Sequence, residues 1–217
     1  MGFCLLANVA IAARWAQDRR GIGRILIVDF DVHHGNGTQH FFEEDPSVLY
    51  VSTHQYPYYP GTGDVVEAGI GRGEGATLNI PMPAGCGDEE YRGVLQRLFV
   101  PAATAFRPEF VLVSCGFDAH ADDPLGSMRV TEQGFRDMTM IARKLALDLC
   151  AGRLVFLLEG GYAASGLRQG MGAVLGALLD RCEPPESAPM PPGSALSEIV
   201  GRCTTVHGAR IPGLGSS

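Results

Sequence analysis

The stretch "RILIVDFDVHHGNG", residues 24–37, decides the fold. Ile25 to Val28 are apolar at consecutive positions, without the alternation of a half-exposed strand, so the segment reads as a strand covered on both faces. Directly behind it stand two carboxylates, two adjacent histidines, an asparagine and two glycines. A buried strand that ends in ligand-forming side chains points to an open α/β sheet, in which sites lie beyond the C-terminal strand ends.

Working outward, four more runs have the same character: "SVLYVSTH" (47–54), "ATLNIPMP" (76–83), "EFVLVSCGFD" (109–118) and "RLVFLLEGGY" (153–162). Helical patterns fall between them, starting at residues 2, 88, 131 and 166. Thr131 is placed as an N-cap, with Glu132 and Asp137 early in its helix. Alternating strands and helices predict a three-layer α/β architecture around an open, mostly parallel sheet. The Gly-, Pro- and Tyr-rich region 56–75 reads as a long loop on the sheet's rim, and long loops in compact domains are usually functional. From residue 184 to 217 the chain is rich in Pro, Gly and Ser and is expected to form a loosely packed tail, with one short helical possibility around 194–202.

Four strands bring polar residues to one rim: Asp29, Asp31 and His33; Ser52 and His54; Asp118; and Glu159 to Tyr162. If the first strand continues, alternation puts Asp31 and His33 on one face, where both reach one ion, and turns His34 away. Asp118 is the best-placed third ligand. One imidazole and two carboxylates with an open fourth position suit a catalytic zinc, and Fe(II) fits the same set. On its own, Asp31-x-His33 reads more readily as a hydrogen-bonded loop anchor than as a metal site. Asp118 and the shared rim make a metal site the stronger reading. Taken singly, Tyr162 reads as a helix cap and Phe3 as a core residue. His40, His120 and His207 read as structural. "AGIGRGEGA" misses the spacing and the lysine of a phosphate loop, which argues against a nucleotide site.

"DFDVHHGNGTQ", "YYPGTGD", "SCGFDAHADDPLG" and "LEGGY", in this order, resemble the signatures of the zinc-dependent histone deacetylase and acetylpolyamine amidohydrolase family, in its class II-like, bacterial branch. The resemblance covers residues 1 to about 180 and implies a sheet of the arginase–deacetylase type. It implies zinc on Asp31, His33 and Asp118, and Tyr162 as the hydroxyl that meets the developing oxyanion. Phe3 and Tyr59 would wall a narrow tunnel, with Gly2 offering its carbonyl to the substrate. Potassium would sit on Asp29, Asp31, His33 and Ser52. Gly35 stands where the arginase pattern has a second bridging aspartate, so one metal is expected.

The family's general acid and base are tandem histidines shortly before the motif that opens this chain at Gly2, Phe3 and Cys4. Residues 1–183 are therefore expected to form a deacetylase domain that lacks its first strands. Asp29 and Asn36 would be the partners that orient those histidines. His33-His34 cannot replace them, because a metal-bound imidazole cannot also accept a proton. The implied reaction is hydrolysis of an acetyl-lysine side chain or an acetylpolyamine, impaired in this chain. The alternatives are a non-catalytic zinc- and acetyl-amine-binding remnant, and another metal amidohydrolase of the same fold, acting on a formamide or ureido group.

Composition bounds the rest. At 217 residues, with 46% hydrophobic and 19% charged side chains, one soluble domain is expected. A net charge of −7 argues against direct nucleic-acid binding. No run has the length of a membrane span, and the start lacks the basic flank of a signal peptide. Six cysteines without metal or redox spacing read as buried thiols, which sets a cytoplasmic expectation. Glu67, Glu74 and Asp122 are the acidic candidates for a polyamine-selective mouth, and an exposed sheet edge would favour homo-oligomers.

Overall fold

A computed structural model describes residues 5–180 and 183–216. Five strands, β1 (Ile25–Asp29), β2 (Val48–Gln55), β3 (Thr77–Met82), β4 (Phe110–Cys115) and β5 (Leu154–Leu158), form one sheet in the order β3-β2-β1-β4-β5. Every pairing is parallel. The registers place Ser52 and Ser114 on either side of Asp29 at the C-terminal end of the central strand.

Helices cover both faces, which explains the absence of alternation in the strand sequences. On one face α1 (Asn8–Arg20) lays Val9, Ala10, Ala13 and Ala16 against Ile25, Ile27, Tyr50 and Leu112. On the other, α3 (Asp88–Val94), α5 (Glu132–Cys150) and α6 (Ala164–Leu179) bury Tyr91, Phe135 and Val174 against Leu26, Val28, Val51 and Val113. A fully buried Leu, Ile or Phe contributes about 1.5–3 kcal/mol. Thr131 caps α5 as expected, its hydroxyl oxygen accepting from the Gln133 amide at 3.2 Å. A short helix, α2 (Asn36–Phe42), follows the histidine pair.

The helix read from residue 88 is interrupted. α3 passes through a π-helical turn, Leu95–Phe99, into α4 (Val100–Phe106). Pro101 causes this, since it has no N–H and its ring crowds the carbonyl four residues back. That carbonyl, on Arg97, accepts from the Gly215 amide at 2.8 Å instead.

The C-terminal segment is not loosely packed. Its helix α7 (Ala195–His207) puts Leu196, Ile199, Val200 and Cys203 into the main core, and its hydrophobic stripe is what the Pro- and Gly-rich flanks disguise. His207 is fully buried, and its Nε2 donates to the Val65 carbonyl at 3.1 Å, tying α7 to the 56–75 loop. Burial lowers the His207 pKa; the bond to Val65 raises it by less, and Arg210 lowers it further. A neutral buried histidine binds protons less well folded than unfolded, so it contributes stability above the unfolded value and loses it as pH falls below about 6.5. Between pH 7 and 5, wild-type protein should therefore lose stability in urea relative to His207→Gln, by up to about 1.4 kcal/mol per pH unit. A constant gap across that range would show that His207 does not titrate with unfolding.

Among the described residues, one edge of the sheet is covered and the other is open. β3 is buried throughout, with α7 alongside it. β5 leaves Val155 and Leu158 about half exposed.

Candidate metal centre

The strand β1 ends at Asp29, so Asp31 and His33 do not share a face by strand alternation. A chain of carboxylate-to-amide bonds brings them together. Asp29 Oδ1 accepts from the Asp31 amide at 3.1 Å, and Asp31 Oδ1 from the His33 amide at 2.8 Å. Asp118, just past β4, anchors the same turn by accepting from the Val32 amide at 2.9 Å. Short carboxylates that bind the backbone two residues on favour turns over strand continuation.

His33 Nδ1 lies 3.1 Å from both Asp31 Oδ1 and Asp118 Oδ2, and one ligand atom from each residue falls within 4.8 Å of the others. Tetrahedral ligand arms of about 2.0–2.1 Å place neighbouring donors about 3.3 Å apart, so the triangle has the size a single ion needs. Two glycines make room for it. A Cβ on Gly116 would sit 2.4 Å from Asp31 Oδ2, and one on Gly160 would sit 2.4 Å from Asp118 Oδ2.

The electrostatics call for a cation. Burial, then the Asp31 charge, push the Asp118 carboxyl up to about 6, although its bond to His33 opposes this. Asp29 is raised for the same two reasons. Burial alone would lower His33, but the Asp118 and Asp31 carboxylates outweigh it and carry the imidazole to about 10. A proton on His33 does here, between two carboxylates, what a metal ion would do better.

His34 is structural, as its neighbours show. It is buried, with Nδ1 2.8 Å from Thr62 Oγ1 and Nε2 2.9 Å from Gln39 Oε1. Beside it, His54 Nε2 donates to the Gly63 carbonyl at 2.9 Å, so its Nδ1 accepts from Ser52 Oγ, also at 2.9 Å. The Ser52 oxygen keeps lone pairs next to Asp29. Asp29 Oδ2 accepts from the Tyr50 hydroxyl at 3.0 Å. Asn36 opens α2, and its Oδ1 is buried without a hydrogen-bond partner.

A cavity of about 450 Å³ opens over Asp31 and His33. Asp29, Asp31, His33 and Glu159 supply its charge, and Tyr58, Tyr59, Leu125, Leu6 and Val9 supply most of its apolar wall, with Tyr162 beside them. The Tyr59 ring meets His33 edge-on at 6.0 Å, while Tyr58 stacks on it at 5.7 Å and donates its hydroxyl to the Leu125 carbonyl at 3.1 Å. Gly2 and Phe3 lie outside the described residues. Among the described residues, His33 is the only histidine that lines the cavity. Glu67, Glu74 and Asp122 are engaged elsewhere, with the Gly63 and Asp64 amides, Arg210 and Ser165 respectively.

Sequence reasoning missed Tyr58, Leu125 and Asp123. The first two stand in quoted motifs, but nothing local separates Tyr58 from Tyr59. Asp123, whose carboxylate accepts from the Tyr162 amide at 2.6 Å, carries no signal of its own beside Asp122.

A family model described as "Histone deacetylase domain" matches residues 1–178. "Histone deacetylase 14, chloroplastic" of Arabidopsis thaliana is 49% identical over 82% of this chain and 42% of its own length. A "Probable deacetylase" of Archaeoglobus fulgidus is 47% identical over 76% of this chain and 46% of its own. A solved structure of the "HDA15 HD domain" superposes with a TM-score of 0.88 at 41% identity, covering 99% of this chain and 58% of that one. This chain thus spans less than half the length of those two curated relatives. Among the described residues, no helix is long and apolar enough to cross a membrane.

Proposed function

This chain belongs to the histone deacetylase family, and on that premise we propose that it binds an acetylated amine over a zinc ion and contributes to hydrolysis of the acetyl group. The observation that carries the reading is the convergence of Asp31 and His33, which line a cavity together with Tyr162, with the buried Asp118 behind them. A divalent ion held by the three would supply Lewis acidity to an amide carbonyl and lower the pKa of a water beside it. Fe(II) suits the donor set too. Asp31, His33 and Asp118 fix one another through the bonds already described. Tyr58, Tyr59 and Leu125 exclude water along the apolar alkyl chain of the amine, and the Tyr162 hydroxyl donates to the carbonyl oxygen as negative charge develops there.

The cavity's carboxylates sit near the ion, and its walls are apolar. This supports an acetyl-lysine-like neutral chain at least as well as a polyamine. Asp29 and Asn36 act as orienting partners for a proton-transfer group, and the unsatisfied Asn36 oxygen supports that role. Asp29 and Ser52, paired in register, support a potassium site together with Asp31 and His33. Among the described residues, four free, buried cysteines support a reducing, cytoplasmic setting. The open β5 edge supports self-association.

No second imidazole lines the cavity among the described residues, so we expect turnover by this chain to be about 10²–10⁴-fold below that of a site with a general base in place. The same observation favours a second reading, in which the chain binds zinc and ligand without turning over. Acetate release by the zinc-loaded chain from an acetyl-lysine peptide and from acetylputrescine tests the first reading. Tyr162→Phe should reduce it by about 10²-fold. Binding of the peptide without acetate release would establish the second reading. Hydrolysis of formamide or ureido analogues alone would mean a different amidohydrolase.

A further inference from the structure

We infer that Asp123 is the positioning residue for Tyr162, an inference that rests on the role given to Tyr162 above. Asp123 is 6% exposed, and both of its carboxylate oxygens bind backbone. Oδ2 accepts from the amides of Tyr162 at 2.6 Å and Ala163 at 3.1 Å, and Oδ1 accepts from the Leu125 amide at 2.9 Å. Its own amide donates to the His120 carbonyl at 2.9 Å, so Asp123 is fixed within the loop that delivers Asp118.

The elements around Asp123 need it. α6 begins at Ala164, and its N-cap, Ala163, has no side chain that could accept from the first-turn amides. An aspartate from another loop instead holds the N-cap amide itself and the one before it, with its charge at the favourable end of the helix. The segment from Glu159 to Ala163 is then held at both ends, its start also by the Glu159 amide donating to the Cys115 carbonyl and the Gly160 carbonyl accepting from the Phe117 amide. Gly160 lies against the Asp31 and Asp118 carboxylates, and the Tyr162 and Ala163 amides are held by Asp123. Tyr162 and Leu125 both line the cavity, so one carboxylate sets the position of two walls against the metal ligands. The neighbouring Asp122 does none of this. Its side chain is 55% exposed and meets Ser165 Oγ at 3.1 Å.

The first test is amide hydrogen exchange on the full chain. Asp123→Ala should speed exchange at Tyr162 and Ala163 by about 10-fold, the effect of losing a charge-assisted bond. Residues 25–33 and the zinc stoichiometry should stay unchanged, and Asp122→Ala should change neither. Equal protection at Tyr162 in wild type and Asp123→Ala would overturn the inference. So would a matching loss of zinc, which would make Asp123 a general structural residue.

The second test is the affinity of the zinc-loaded chain for N-hydroxyhexanamide, an alkyl hydroxamate. Tyr162→Phe and Asp123→Ala should each weaken binding by about 10-fold, and the double variant no further than either, because residues acting through one another are not additive. Additive losses would overturn the inference. An unchanged affinity in Tyr162→Phe would instead sink the role given to Tyr162, while the exchange experiment still decides whether Asp123 holds the segment. If Asp123→Ala does not fold, Asp123→Asn, which keeps one oxygen and the shape, carries both tests. Failure of that variant to fold would itself overturn the inference.

Discussion

Asp118→Ala is expected to lower the affinity for a divalent ion by at least about 100-fold, more than the loss of an outer-shell partner costs. Asp118 is the fully buried member of the triad and the one that arrives from a different strand, so no neighbour on its own loop can take its place. Asp118→Asn should separate its two tasks. The amide oxygen can still accept from the Val32 amide, so the turn survives, but the charge that balances the ion is gone. In the metal-free protein, the raised carboxyl pKa means that burial makes the ionised form costly. Removing that charge should leave the metal-free chain at least as stable as wild type in urea with a chelator present. Zinc affinity by chelator competition is the matching measurement. An Asn variant that bound zinc like wild type would remove Asp118 from the ligand set. One that unfolded without metal would make Asp118 first of all a structural group.

The sheet was legible because burial on both faces removes alternation, and each of the five apolar runs needed only its length and its neighbours to be read. The grouping of Asp31, His33 and Asp118 was legible as residue types at strand ends, but for a partly mistaken reason. Strand alternation would align Asp31 with His33, whereas the strand stops at Asp29 and the successive amides of Asp31, Val32 and His33 build the turn by donating to the Asp29, Asp118 and Asp31 carboxylates. Two of these bonds span only two residues and the third reaches a partner 86 residues away, and none of them leaves a periodic trace. α7 was hidden for a different reason. Its flanks have the composition of a linker, and the apolar stripe of Leu196, Ile199, Val200 and Cys203 is only about two turns long. Asp123 could not have been told from Asp122 by any local rule, since the difference lies in which of the two faces Tyr162.

Gly160→Ala should disturb two carboxylates of the candidate metal centre with a single methyl. Its Cβ would lie 2.4 Å from Asp118 Oδ2, 2.6 Å from Asp31 Oδ2 and 3.0 Å from Asp118 Cγ. Contacts that short are relieved only if something moves, and the neighbours are not free to move. Asp118 is held by the Val32 amide and His33, and Asp31 by the His33 amide and ring. The backbone of Gly160 is not in the left-handed region, so the cost is contact alone and falls on the two carboxylates. Overpacking of this kind costs about 1–3 kcal/mol. Moving a ligand pair should also weaken metal binding by about 10–100-fold, the range seen when supporting contacts are lost. Gly172→Ala provides the contrast. Gly172 lies within α6 with open space around its Cβ position, so alanine there should stabilise the helix by up to about 1 kcal/mol and leave the metal affinity unchanged. If Gly160→Ala bound zinc as tightly as Gly172→Ala, the two carboxylates would have to be mobile enough to absorb the methyl. A rigid preformed triad would then be ruled out, whatever ion it holds.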